Sequence, residues 1–239
     1  GLAPQPVALV GVDLKGGVEL SPYAPRLTAL ATTRGECLDL LADLITVMGA
    51  RMLACRQLAV RDIWQLPDAS RPIPVVLLVD EIAELFLTAD KAEKDQVTRT
   101  ATALLRIAQL GRAFGIHLVL SGQRIGSDLG PGVTALRAQI GGRICHRVND
   151  PETARMTLGD LDPDALAAAR SIPPGLPGVA VVTGSDGRWY RARSGYVSTH
   201  MAEQVATAYA HLTPSWAQVA TSGLGHRLPK AAGNPEIAA

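Results

Sequence analysis

The stretch that decides the fold is Val75-Val76-Leu77-Leu78-Val79-Asp80-Glu81. Five aliphatic residues without a polar interruption read as a strand buried on both faces, the pattern of a parallel sheet covered by helices. Two acids follow immediately, at the point where such a strand leaves the core. Upstream, residues 66–74 carry Pro67, Pro72 and Pro74 and form a loop that delivers the chain into the strand.

The pattern repeats on either side. Residues 7–12 read as a strand that ends in a turn-rich stretch through Gly16-Gly17 and Pro22. Thr33-x-x-Glu36 has the form of a capping box, and Leu38, Leu41, Leu44, Ile45, Met48 and Met52 then recur as one apolar helix face. A second helix is predicted from about residue 93 to 113, stopped by Gly115. Strands follow at 116–120, 140–146 and 179–183, and Ser185-Asp186-Gly187 turns the last of these into a hairpin partner at 188–193. Asp150-Pro151 and Asp162-Pro163 look like helix starts, and a final helix spans about 199–212. The alternation predicts a mostly parallel α/β sheet with helices on both faces over residues 1–212. From 213 to 239 Ser, Gly, Pro and Ala dominate, and a disordered tail is expected.

Composition narrows the function. The 239 residues carry 23 Lys+Arg against 22 Asp+Glu, a net charge of +1, so any nucleic-acid contact must come from local placement of charge. Lysine occurs only at Lys15, Lys91, Lys94 and Lys230. Cys37, Cys55 and Cys145 are far apart and form no C-x-x-C pair, which argues against a disulfide scaffold or structural zinc. The aliphatic run before Asp80 is too short to span a bilayer, and no signal peptide opens the chain.

An acid pair at the end of a buried strand sits where open α/β folds bind ligands. In the Walker B arrangement of P-loop ATPases the first acid holds Mg²⁺ and the second polarises the attacking water; the same pair would also suit a helix N-terminus. Gly111-Arg112-Ala113-Phe114-Gly115-Ile116-His117-Leu118-Val119-Leu120-Ser121-Gly122-Gln123-Arg124 supplies the neighbouring strand, whose terminal amide, Gln123, could sense a γ-phosphate or cap a loop. His117 lies inside an apolar strand and reads as a core histidine. Trp189 and Tyr190 read as packing over the sheet, with base stacking as the alternative.

In this order the segments resemble the FtsK/SpoIIIE family of DNA translocases. The resemblance rests on Asp13-x-Lys15 after the first strand and on Arg112-Ala113-Phe114-Gly115-Ile116-His117-Leu118. It continues in Gln123-Arg124, in Gly142-Arg143-Ile144, and in Tyr209-Ala210-His211-Leu212-Thr213-Pro214, which looks like actinobacterial and plasmid-transfer members. It implies an ATP-driven double-stranded DNA motor with a RecA-like P-loop NTPase core, working as a homo-hexameric ring with Mg²⁺. Asp80 would hold the metal, Glu81 the water and Gln123 the γ-phosphate, while Arg112 or Arg143 acts across a subunit boundary, Arg143 being favoured as a strand-mouth residue. Lys91, Lys94 and Arg124 would touch DNA phosphates. Membrane anchoring would come from an N-terminal region outside this chain, leaving this part cytoplasmic. Two departures stand out. The strand ends Gly122-Gln123-Arg124-Ile125 where the family commonly reads Thr-Gln-Arg-Pro, and no Gly-Lys-Ser or Gly-Lys-Thr occurs. The phosphate-cradling loop is therefore expected upstream of Gly1, the alternative being a degenerate, non-hydrolysing ring subunit or DNA-binding module of the same fold.

Overall fold

Strand β3 (Val75–Val79) lies between β1 (Ala8–Val12) and β4 (Ile116–Leu120), with the short β2 (Ala29–Ala31) beyond β1, all four parallel. The computed structural model describes residues 1–87, 91–123, 132–159, 163–184 and 186–223, and of residues 91 and 92 the backbone alone. Every residue of β1 is buried, as are four of the five in β3. Such a strand has no solvent face, so helices must cover the sheet.

Helix α1 (Arg34–Gln57) starts at the expected capping box: the Thr33 hydroxyl accepts from the Glu36 N–H, and the Glu36 carboxylate accepts from the Thr33 N–H. Leu40, Leu41, Leu44, Val47 and Met48 from α1 join Leu104 and Ile107 from α3 (Lys91–Leu110) in one core with the sheet. Between β3 and α3 lies α2 (Ala83–Phe86), which buries Leu85 and Phe86. Gly115 stops the turn after α3 with φ 71°, a left-handed conformation that glycine adopts without steric cost.

The C-terminal half differs from the expectation of one sheet. Among the described residues, β5 (Arg143–His146), β6 (Val179–Thr183) and β7 (Trp189–Arg193) form a separate antiparallel sheet, β5-β6-β7. It packs with α5 (Pro151–Leu158) and α6 (Pro163–Arg170) around Cys145, Leu158, Ala165, Ala169 and Val181. Preceding them, α4 (Val133–Gln139) buries Val133 and Leu136 in the main core. Asp150 caps α5 as expected, accepting the Thr153 N–H at 2.8 Å, whereas Asp162 lies outside the described residues.

Nor does order end at residue 212. After α7 (Thr199–Ala208), Ser215 and Gln218 form a capping box that opens α8 (Trp216–Thr221), whose Val219 is fully buried. The tail expected to be disordered from 213 is therefore helical in its first part; residues 224–239 lie outside the description. Composition missed this because a single helical turn is stabilised by what it docks on rather than by its own periodicity.

The dock is Arg51. Buried on α1, its guanidinium donates to the carbonyls of Phe114 at 2.8 Å, Ile73 at 2.8 Å and Val219 at 3.4 Å, joining α1 to the entries of β3 and β4 and to α8. Burial without a carboxylate partner pushes its pKa down to about 10. Arg51→Met should remove the guanidinium donor from the Phe114 and Ile73 carbonyls, while Val219 keeps the Ser222 hydroxyl, and cost about 3 kcal/mol. The urea midpoint would fall with the m-value unchanged.

Burial also pushes the Cys37 thiol up, from 9.0 to about 12, against the opposing charge of Arg34. Below pH 9.0 both folded and unfolded chains hold this proton; above it the unfolded chain releases the proton and the folded one does not. Stability should therefore decline as the pH rises from 9.0 towards about 12. Cys37→Ala should flatten part of that decline in urea midpoints taken across this range.

Candidate active site at the carboxyl edge of the sheet

The register brings the site together. Val12 pairs with Val79 and Val79 with Leu120, so β1, β3 and β4 end level. The next residues, Asp13, Asp80 and Ser121, are neighbours along one edge. The Asp80 N–H donates to the Val12 carbonyl at 3.1 Å, and the Ser121 N–H to the Val79 carbonyl at 2.9 Å. The chain after β3 then turns outward through Ile82, whose N–H donates to the Ser121 carbonyl at 2.8 Å.

Glu81 is held from three sides. Its Oε1 accepts the Ala83 N–H at 3.2 Å and its Oε2 accepts the Gln123 N–H at 3.3 Å, while Lys15 Nζ stands 3.9 Å from Oε2. The sequence places Glu81 and Gln123 in this site, and the structure joins them through the Gln123 backbone. Lys15 is the residue that the reading of single motifs missed as a neighbour of Glu81. Its signal is a polar Asp-x-Lys directly after a buried strand, but only the pairing of β1 with β3 shows which side chain it meets.

Asp13 is fully buried, and its carboxylate is fully occupied. Oδ1 accepts the Lys15 N–H at 3.2 Å, and Oδ2 accepts the N–H groups of Glu19 at 2.8 Å and Leu20 at 3.0 Å. Asp80 has the opposite character. Burial raises its pKa, and the charges of Asp13, Glu19 and Glu81 add to that, with Lys15 alone opposing. A cation beside Asp80 would relieve both effects. Among the described residues no group of three or more His, Cys, Asp or Glu is arranged to hold a metal ion. One carboxylate nevertheless fits Mg²⁺, which keeps several waters and takes its remaining oxygens from phosphates.

The site opens onto a cavity of about 780 Å³. Lys15, Glu81, Gly122 and Gln123 form one wall, and Ile144, Cys145, His146 and Asn149, from β5 and the loop after it, face them.

The other expected residues lie elsewhere. Arg112 is exposed at the entry to β4, about 16 Å from the carboxyl edge by strand rise. Arg143 is committed within its own chain, donating to the carbonyls of Thr157 at 3.1 Å and Arg137 at 2.9 Å. Burial and the charge of Arg137 depress its pKa. Lys94 is exposed on the first turn of α3, and Lys91 begins that helix; Arg124 lies outside the described residues. His117 packs its ring on Trp64 at 5.8 Å, within the strand rather than at its reactive end. Trp189 packs on the second core as expected, but Tyr190 on the opposite face of β7 is 58% exposed.

This arrangement, a parallel sheet flanked by helices with an acid pair ending its central strand, defines a RecA-like α/β fold of the P-loop ATPase class. Two solved structures share the fold. The conjugation coupling protein TcpA of pCW3, determined with ATPγS, superposes with a TM-score of 0.73 at 20% identity, covering 87% of this chain and 58% of that one. The cytoplasmic domain of the type VII secretion ATPase EccC of Thermomonospora curvata gives a TM-score of 0.60 at 22% identity, covering 87% and 25%.

In sequence, residues 65–127 match the FtsK/SpoIIIE family model. A sporulation regulatory protein of Streptomyces azureus is 50% identical over 90% of this chain and 71% of its own length. The transfer protein TraSA of Streptomyces ambofaciens is 48% identical over 90% of this chain, which spans 54% of that relative. The DNA translocase FtsK of Mycobacterium tuberculosis H37Rv is 30% identical over 86% of this chain and 25% of its own. The chain belongs to the FtsK/SpoIIIE family. No helix among the described residues is long and apolar enough to cross a membrane.

Arg143 gives a test of its position. With its donors spent on two carbonyls, Arg143→Ala should cost about 1–3 kcal/mol of stability. Thermal unfolding would show this as a lower midpoint in the isolated chain.

Proposed function

We propose that this chain is the motor portion of an ATP-driven double-stranded DNA translocase that moves DNA in chromosome segregation or conjugative transfer. The observation that carries the reading is Asp80-Glu81 at the carboxyl end of the central strand, with Glu81 accepting the Gln123 N–H from the segment that follows the adjacent strand. Asp80 would hold Mg²⁺ through water, and the ion would supply positive charge for the phosphoryl oxygens. Glu81 orients and polarises the attacking water. The Gln123 side chain, on the cavity wall beside it, reports the state of the γ-phosphate.

The phosphate cradle comes from a segment outside these 239 residues. Two open edges support this: among the described residues, β4 pairs only with β3 and β5 only with β6. A strand entering beside β4 would carry its following loop to the edge where Gln123 and Glu81 stand. The motor works as a ring, probed from outside by the arginine of a neighbouring copy. Arg112 suits that role better than Arg143, because Arg143 already bonds two carbonyls of its own chain. Lys91, Lys94 and Arg124 contact DNA phosphates, a contact that tracks the backbone without reading sequence and weakens with salt.

The test is DNA-stimulated ATP hydrolysis by the full-length protein. Glu81→Gln keeps the shape but can accept only one of the two backbone N–H groups and loses the carboxylate, so turnover should fall by about 10²-fold or more while nucleotide affinity stays within about twofold. Asp80→Asn should weaken Mg²⁺-dependent nucleotide binding instead. Equal and mild effects from both would make the pair helix-capping acids. A full-length protein that binds no nucleotide would favour a non-hydrolysing ring member.

A further inference from the structure

The turn after β1 spends a buried carboxylate on placing one lysine. Asp13 gathers the N–H groups of Lys15, Glu19 and Leu20, and its own carbonyl accepts the Gly17 N–H at 3.2 Å. Gly16 and Gly17 both take left-handed conformations, with φ of 79° and 77°, so the chain reverses within two residues of Lys15. A Cβ on Gly17 would come within 2.8 Å of the Thr32 side chain and 2.9 Å of Ser21 Oγ, so the turn is packed down against the core side. Its open side is the cavity, and Lys15 is the side chain on that wall.

There the ammonium meets Glu81. Lys15 is 44% exposed and Glu81 only 10%, so the lysine approaches from solvent a carboxylate already held by two backbone N–H groups. Those N–H groups fix one line of approach to each carboxylate oxygen. The ammonium at 3.9 Å acts on Oε2, the oxygen that the Gln123 N–H also holds. With its ammonium open to solvent and 3.9 Å away, the pair contributes little to stability. Its effect is on geometry: the ammonium adds a third constraint on the carboxylate, at the oxygen that also accepts the Gln123 N–H.

We propose that Lys15 is a positioning residue for Glu81, holding the carboxylate in the orientation from which it directs the attacking water. The proposal rests on the reading of Glu81 as the water-polarising acid. Lys15 acts through Glu81 and leaves nucleotide binding alone. A displacement of about 1 Å at such a carboxylate is enough to cost on the order of 10²-fold in rate.

The experiment uses the full-length protein and steady-state ATP hydrolysis with DNA present. Lys15→Ala should lower kcat by about 10- to 100-fold with KM for ATP within about twofold. Its thermal midpoint should match the parent, and Lys15→Arg should restore much of the lost rate, since the charge returns. In a Glu81→Gln background, Lys15→Ala should add no further loss, because a residue that acts through another contributes nothing once that partner is gone.

A Lys15→Ala protein with parental kcat, beside a Glu81→Gln protein without activity, overturns the proposal and leaves the functional reading standing. A loss confined to KM, additive with Glu81→Gln, makes Lys15 a direct phosphate contact and also overturns it. A Glu81→Gln protein as active as the parent removes the functional reading, and the proposal with it.

Discussion

The fold depends on a buried guanidinium that has no carboxylate to answer it. Arg51 reaches from the C-terminal third of α1 to the Phe114 carbonyl just ahead of β4, to Ile73 ahead of β3, and to Val219 in α8. A carboxylate in that position could not do this, since the groups to be satisfied are all acceptors. An ammonium could donate to three carbonyls, but only from a single point. The planar fork spreads its donors, so three segments far apart in the chain converge on one side chain. The entries of β3 and β4 are thereby fixed relative to α1. Because parallel strands run in register, fixing where they begin also fixes where they end, and their ends are the site.

What the sequence discloses follows from the range of the interaction involved. The β3 strand and its acid pair were legible because uninterrupted burial and the sudden appearance of charge are properties of seven consecutive residues. The capping box at Thr33 and the Gly115 stop were legible for the same reason. Partners distant in the chain were not. Nothing in Leu-Lys-Gly-Gly shows that Lys15 meets Glu81, because strand order is a property of the sheet, and β1 and β3 are separated by a long helix. The expectation of one continuous sheet failed at β5 in the same way: a short stretch such as Arg143–His146 can be read as a strand, but its residues do not say which neighbour it takes.

The arginines show the limit most clearly. Arg112 and Arg143 both stand next to strands and read alike from the chain, yet one is exposed and the other is bound to the carbonyls of Arg137 and Thr157. Their difference lies in where α4 and α5 end. Helix ends leave carbonyls with unused acceptor capacity: the Arg143 guanidinium donates to the Thr157 carbonyl and adds a second donor at the Arg137 carbonyl, which also accepts the Ile140 N–H. A charged residue at a strand mouth is thus claimed first by the nearest unsatisfied backbone, and only a residue without such a claim is available to a neighbouring molecule.

The same economy separates the acids at the carboxyl edge. Asp13 and Asp80 follow adjacent strands at the same level. Asp13 points into a turn of backbone N–H groups and is consumed by them, so its charge is a structural one. Asp80 has no such cradle; burial and its acidic neighbours disfavour its charged form, with Lys15 as the opposing cation. A carboxylate satisfied by the fold gains little from a cation, whereas one that the fold leaves under electrostatic pressure gains much. The turn that satisfies Asp13 also delivers Lys15 to the cavity wall. One buried acid thereby fixes the turn that brings Lys15 to 3.9 Å from Glu81, and it does so without lining the cavity itself.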